Sequence, residues 1–216
     1  MNGPRLLMAD GPSIGLQGER YVRAAKGSPR PVRWYSVSMT APSRLMTLAE
    51  FLELPETEPY TELINGELCQ KPVGKNRHSA AQTNLPVLLA LHPATAKGKS
   101  RVELGFRFPR TSRGNLRVPD VSYYLPGYVP DPDEDYPERA PDLAAEVRSK
   151  GQSTTSQRER LAFLRSQGTR CTLLIDPEAQ TVEVHDGEAT SVASGKDEVR
   201  LESLAGFSFG IAELWA

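Results

Sequence analysis

From Met46 onward the apolar positions follow two rhythms, one at helical spacing and one at every second residue. Thr47 predicts the N-cap of a short helix carrying Leu48, Phe51, Leu52 and Leu54, with Glu50 placed for a capping box and Pro55 ending it. YTELINGELCQKP reads as a hairpin around Asn65-Gly66, the dipeptide that best tolerates the positive φ of a tight turn. Residues 76 to about 91 are helical in period, with Ala81, Leu85, Leu88 and Leu89 on one stripe and Pro86 an expected kink or interruption. RVELGFRFPR and NLRVPDVSYYLP predict one strand each, separated by a polar turn at residues 111–114. An acidic, proline-rich loop at 131–138 leads to the strand DLAAEVRSK. A helix over about 153–167 follows, with Leu161, Phe163 and Leu164 inward and Gly168 closing it. CTLLIDP and QTVEVHDG are expected to finish the sheet. No internal repeat is visible, and the order of elements predicts an α/β fold, a mixed sheet covered by helices.

Residues 1–44 break both rhythms: they are rich in Gly, Pro, Ser and Arg and predict a poorly ordered extension, leaving 45–216 as the folded domain. Met39 and Met46 offer later translation starts, since MTLAEFLEL opens like a natural N-terminus. At 216 residues, with 38% hydrophobic and 25% charged, the composition is that of a globular domain with one sizeable core. No apolar run approaches the ~18 residues that cross a bilayer, and no signal-peptide pattern opens the chain, so no membrane and a cytoplasmic location are expected. Cys69 and Cys171 each sit in an apolar segment without the paired spacing of a zinc site, which predicts buried, reduced thiols. A formal charge of −1 gives no global field for nucleic acid. Any such binding falls to a local basic surface, for which residues 71–101, with Lys71, Lys75, Arg77, Lys97 and Lys99, are the candidate. KGKS at 97–100 lacks both the leading glycine and the preceding strand of a phosphate loop.

Candidate chemistry centres on two carboxylates. In DLAAEVRSK, strand alternation places Glu146, Arg148 and Lys150 on one face, with Ala145 and Val147 on the other. A strand fraying into solvent would read the same way. In VPDVSYY, Pro119 marks an irregularity and sets Asp120 beside it. If the two strands are neighbours, Asp120 and Glu146 approach each other. Two like charges at ~4 Å repel by about 4 kcal/mol at an effective dielectric near 20, which calls for a cation. Oxygen ligation suits magnesium or manganese.

The spacing of P-D and E-x-(basic), between two helices, resembles the PD-(D/E)xK nuclease superfamily, restriction-endonuclease-like in fold. Within it the chain is similar to the Uma-type putative restriction endonucleases, through MTLAEFLELPE, YTELINGEL, NRHSAAQ, RVPDVSYY, APDLAAEVRS, LLIDPEAQTVEV and LAGFSFGIAELW, from about Met46 to Ala216. The resemblance implies a mixed β-sheet flanked by helices with an N-terminal β-hairpin, and a metal-dependent endonuclease that hydrolyses phosphodiester bonds in DNA with Mg2+ or Mn2+. It implies that Asp120, Glu146 and Glu62 hold the metal, with His78, Gln82 and Arg160 toward substrate. From the residues alone, Glu62 is equally a solvated or ion-paired strand residue, and His78 and Gln82, four apart on one helical face, are equally surface residues. Glu103 is a weaker ligand candidate, and Asp176 before Pro177 reads as a turn former. The usual catalytic lysine is Arg148 here, which cannot act as a base. Lys150, one strand repeat further, and Arg160, where relatives often have lysine, are the candidate substitutes. DNA is the expected partner, with a homodimer allowed. The rival expectation is a non-catalytic relative that binds nucleic acid or protein, and a third is a nuclease acting on RNA.

Overall fold

The computed structural model describes residues 45–57 and 59–216; the extension expected over 1–44 lies outside the described residues. The chain enters through α1 (Leu48–Leu52), whose capping box is formed as expected, with Thr47 N donating to Glu50 Oε2 at 2.8 Å and Glu50 N to Thr47 Oγ1 at 3.3 Å. The hairpin follows as β1 (Thr61–Ile64) and β2 (Glu67–Gln70), turning on Asn65 at φ 53° and Gly66 at φ 92°. Two further short strands, β4 (Phe106–Phe108) and β5 (Asn115–Arg117), extend it into a four-stranded antiparallel sheet of order β2-β1-β5-β4.

A six-stranded sheet forms the centre. Its members are β3 (Lys99–Val102), β6 (Val121–Tyr124), β7 (Leu143–Val147), β8 (Cys171–Asp176), β9 (Thr181–Asp186) and β10 (Ala189–Ser194), in the order β10-β9-β8-β7-β6-β3. Only β7 and β8 run parallel, joined by α3 (Thr154–Ser166), and the other neighbours are antiparallel. Parallel neighbours need a crossover, and this one is a helix. Alternation assigns the two faces. Val121, Tyr123, Leu143, Ala145, Val147, Leu173 and Ile175 share a core with Ala81, Leu85 and Leu89 of α2 (Asn76–Leu91), whereas Tyr124, Ala144 and Leu174 pack with Leu161 and Leu164 of α3. Strands covered on both sides are expected to be apolar throughout, and β6 and β7 are buried at every position with Ser122 and Glu146 as their polar members.

The architecture is the expected mixed α/β arrangement, with local differences. α2 runs unbroken through Pro86, because Ala81, Leu85 and Leu89 hold both halves of the helix on the sheet. RVELGFRFPR is two strands in different sheets: Glu103 adopts φ 51°, and the chain turns there out of β3 toward β4. NLRVPDVSYYLP likewise divides at Pro119 into β5 and β6, again in different sheets. The sheet also continues past β9 into β10, and a separate pair, β11 (Glu198–Leu201) with β12 (Phe207–Gly210), covers the α2 side through Val199, Leu201, Phe207 and Phe209.

Gly66 is held at positive φ, and a Cβ there would stand 2.9 Å from Leu45 Cβ and 3.1 Å from the Met46 carbonyl oxygen. Gly66→Ala should therefore cost roughly 1 to 2 kcal/mol, from backbone strain and the displaced entry segment, seen as a lower urea midpoint with an unchanged slope.

Candidate active site

Asp120 and Glu146 meet where the two sheets join. The link between β5 and β6 is Val118-Pro119-Asp120, a buried stretch whose backbone groups find partners in side chains. Val118 N donates to Glu62 Oε1 at 2.6 Å, and the Val118 carbonyl accepts from Lys71 Nζ at 2.8 Å. The Asp120 carbonyl accepts from Glu103 N at 3.2 Å and from Gln82 Nε2 at 3.4 Å. Proline suits this link because it has no N–H to satisfy.

The carboxylates are buried and shared among donors. Asp120 Oδ1 takes Lys71 Nζ at 2.6 Å, and Oδ2 takes Val147 N at 2.6 Å with His78 Nε2 3.4 Å away. Arg160, from α3, forks between two strands. Its Nη2 donates to Glu62 Oε1 at 2.9 Å and to Glu146 Oε1 at 3.0 Å, its Nε donates to Glu146 Oε1 at 3.1 Å, and its Nη1 is bonded to Glu62 Oε2. Glu146 thus receives both bonds on one oxygen, and among the described residues Oε2 has no protein donor. Burial lifts the Glu146 carboxyl well above the usual range despite the pull of Arg160, and the Asp120 charge adds to the effect. Asp120 is shifted the other way, since Lys71 and His78 together outweigh its burial. Burial would lower the Lys71 ammonium, but Asp120, Glu146 and Glu62 hold it above its ordinary value.

Glu62, His78, Gln82, Asp120, Glu146 and Arg160 are therefore linked in one cluster, and Gln82 also donates to Glu103 Oε1 at 3.1 Å. Among the described residues no hydrogen bond or ion pair joins Arg148 or Lys150 to this cluster. β7 ends at Val147, so the alternation that aligned them with Glu146 stops there. Arg148 turns its guanidinium onto Asp176, at 2.8 Å and 3.2 Å, and toward Glu178 at 3.4 Å. Lys150 is exposed in a turn closed by Gln152 N on the Ser149 carbonyl at 3.1 Å and followed by Gly151 at φ 88°. Asp176 is the turn former it was expected to be, accepting from Glu178 N and Ala179 N. Cys171 is buried and Cys69 half-buried.

Two participants were not anticipated from the sequence. Lys71, read there as part of a basic surface, is the buried partner of Asp120. Gly74 lies against the imidazole of His78, where a Cβ would come within 2.5 Å of Nδ1, so only glycine lets that ring settle. The His78 Nδ1 atom is itself buried, with no hydrogen-bond partner among the described residues.

Lys71 and Arg160 are bonded to these carboxylates, Arg117 lies close enough to act on Glu62 and Glu146 as well, and the carboxylate donors are hard oxygens. In donor type the cluster fits a divalent cation such as magnesium or manganese. It is not a ready-made cage: among the described residues no three acidic, histidine or cysteine side chains surround one point. Lys71 and Arg160 are bonded to these carboxylates in a divalent cation's place.

A mixed sheet with paired carboxylates at its joined end is the arrangement of a nuclease-like α/β domain. Residues 48–212 match the Uma2 family, described as "Putative restriction endonuclease", and the chain belongs to that family. It is similar to a crystal structure titled as a putative nuclease belonging to DUF820 from Anabaena variabilis ATCC 29413, with a TM-score of 0.69 and 29% identity over 79% of this chain and 97% of that one. Comparison with curated proteins finds no match. Among the described residues no helix is long and apolar enough to cross a membrane.

The Arg148 fork has a consequence for stability. Burial would raise the Asp176 carboxyl, but the fork and two backbone N–H donors hold it below its ordinary value. A depressed carboxyl contributes stability above its unfolded pKa of about 3.9, and that contribution is lost as pH falls through the folded value. Arg148→Ala should lower the melting temperature at pH 7 by about 2 to 4 °C, for on the order of 1 kcal/mol, and the gap to the unaltered protein should narrow as pH falls below about 3.9 and close once it has passed through the folded Asp176 value.

Proposed function

We propose that this protein is an endonuclease that hydrolyses phosphodiester bonds in DNA with bound magnesium or manganese. The observation that carries the reading is the pairing of Asp120 and Glu146 on adjacent strands, coupled through the Val147 N–H that Asp120 accepts. Family membership and the nuclease-like structural neighbour support it.

In this reading Asp120 and Glu146 would hold the cation, Asp120 with its ionised carboxyl and Glu146 through the Oε2 that has no protein donor among the described residues. Glu62, which shares Arg160 with Glu146, would be the third candidate donor. Bound magnesium or manganese supplies Lewis-acid chemistry to the phosphate. The chain does the rest. Arg160 keeps two carboxylates from different sheets in register, and His78 stands beside the Asp120 oxygen that the Val147 N–H also holds. Gln82 ties α2 to the Asp120 carbonyl and to Glu103. The hydrolysis is redox-neutral: a water oxygen bonds to phosphorus, one P–O ester bond breaks, one proton goes to the departing oxygen and one to solvent.

One observation favours the rival, a non-catalytic nucleic-acid or protein-binding module: Lys71 and Arg160 already neutralise most of the charge. Plasmid, single-stranded DNA and RNA substrates incubated with purified protein and Mg2+ or Mn2+ separate the readings. Cleavage of DNA that stops with chelator, and falls roughly 100-fold or more in both Asp120→Asn and Glu146→Gln while their folds persist, is the expected result. DNA retained on the protein without cleavage in any metal would select the binding module, and cleavage confined to RNA would change the substrate.

A further inference from the structure

The motif that carries Glu146 lacks the lysine expected two residues on, and neither nearby cation is bonded to the carboxylate cluster among the described residues. Arg148 is committed to Asp176 and Glu178, and Lys150 is exposed in the turn beyond the strand. Arg160 is at the site, but its donors are spread over the two carboxylates it bridges, and a guanidinium gives fixed fork geometry in place of a compact ammonium. One primary amine does reach the site carboxylates among the described residues, and it comes from another sheet.

We propose that Lys71 is the working ammonium of this site, supplied from the end of the hairpin in place of the strand lysine. The inference rests on the endonuclease reading and deepens it. An ammonium has three N–H donors. Lys71 directs one to Asp120 Oδ1 at 2.6 Å and one to the Val118 carbonyl at 2.8 Å, and the third has no protein acceptor among the described residues. Its backbone is fixed as well: Lys71 N donates to the Tyr60 carbonyl at 2.8 Å, one step beyond the Thr61 and Gln70 pair, and Pro72 stiffens the exit. The side chain is nearly buried, so its stem is packed and its head is presented at the carboxylates.

That geometry suggests two linked duties. While the site is unloaded, Lys71 is the counter-ion of Asp120. With a divalent cation at Asp120, the ammonium would be free to leave Oδ1 and to donate to a non-bridging oxygen of the scissile phosphate or to the attacking water. Lys71 stays protonated throughout; it is a donor to the developing charge and no proton is stored on it. A residue that only props up Asp120 would show one duty, whereas a residue that both competes with the cation and serves the reaction shows two effects of opposite sign.

The test reads both signs on the full-length protein. Mn2+ binding by calorimetry and single-turnover cleavage of duplex DNA are measured for the unaltered chain, Lys71→Met and Lys150→Ala. Lys71→Gln, which keeps a donor toward Val118, serves as the second variant should Lys71→Met fail to fold. Loss of the competing positive charge should tighten Mn2+ binding by roughly 10-fold in Lys71→Met, while cleavage slows by roughly 100-fold. Lys150→Ala should change neither by more than about 3-fold. Cleavage by Lys71→Met at the unaltered rate overturns the proposal. So does the joint loss of Mn2+ binding and cleavage, which would make Lys71 a prop for Asp120. If the unaltered chain binds Mn2+ and cleaves nothing, the endonuclease reading fails separately. The Mn2+ comparison then decides Lys71 alone, an unchanged affinity in Lys71→Met removing it from the site.

Discussion

The Arg160 guanidinium, nearly buried between α3 and the strands, is the interaction on which the rest of this structure depends. It is bonded to Glu62 of the four-stranded sheet and to Glu146 of the six-stranded sheet, so one side chain joins the two sheets at the place where their carboxylates converge. Buried charges of this kind are poor sources of net stability, because desolvation consumes most of the Coulombic gain. What they give is exclusivity. Removing Arg160 would leave two buried carboxylates without their cation, a loss of order 3 to 5 kcal/mol, so alternative dockings of the hairpin that separate the three groups are strongly disfavoured.

Structure and chemistry are inseparable in the link that crosses between the sheets. The residues Val118-Pro119-Asp120 have no ladder to satisfy them, and the partners they find are Glu62, Lys71, Gln82 and the Val147 N–H. Each of these belongs to the candidate site. The site is therefore assembled by the same bonds that allow the chain to leave one sheet for the other, and its irregularity is the reason a carboxylate can be both buried and poised. It also explains why the carboxylates are covered by internal cations: a link buried this deeply could not leave three negative charges unanswered.

The parts of this site that were legible in the sequence are those set by local rules. Pro119 announced the break beside Asp120, alternation placed Glu146 opposite Ala145 and Val147, and Asn65-Gly66 announced the hairpin that carries Glu62. Alternation failed for Arg148 and Lys150 because it was carried past the end of β7, where Gly151 and the Gln152 turn redirect the chain. The segments 101–110 and 115–126 each looked like a single strand because extended residues with apolar positions run on both sides of the break; the division into separate sheets rests on the positive φ of Glu103 and on Pro119, and only the second has a sequence signature. β10, β11 and β12 were missed in a stretch rich in Ser, Gly and charge, where a single buried face carries the whole signal. Lys71 was invisible for a different reason. It follows a hairpin strand and precedes Pro72, a context that reads as solvent-facing, and its partner is 49 residues away in the chain.

If Lys71 and a divalent cation compete for Asp120 at a site built around the Arg160 bridge, loading that site must move the ammonium. The most direct measurement is a crystal structure at saturating manganese with anomalous scattering. The account predicts a manganese peak between Asp120 and Glu146, with Lys71 Nζ moved away from the Oδ1 atom that it contacts at 2.6 Å in the unloaded site and Arg160 still on Glu62 or Glu146. A map with no peak at those carboxylates, and the ion pair between Lys71 and Asp120 unchanged, would contradict it.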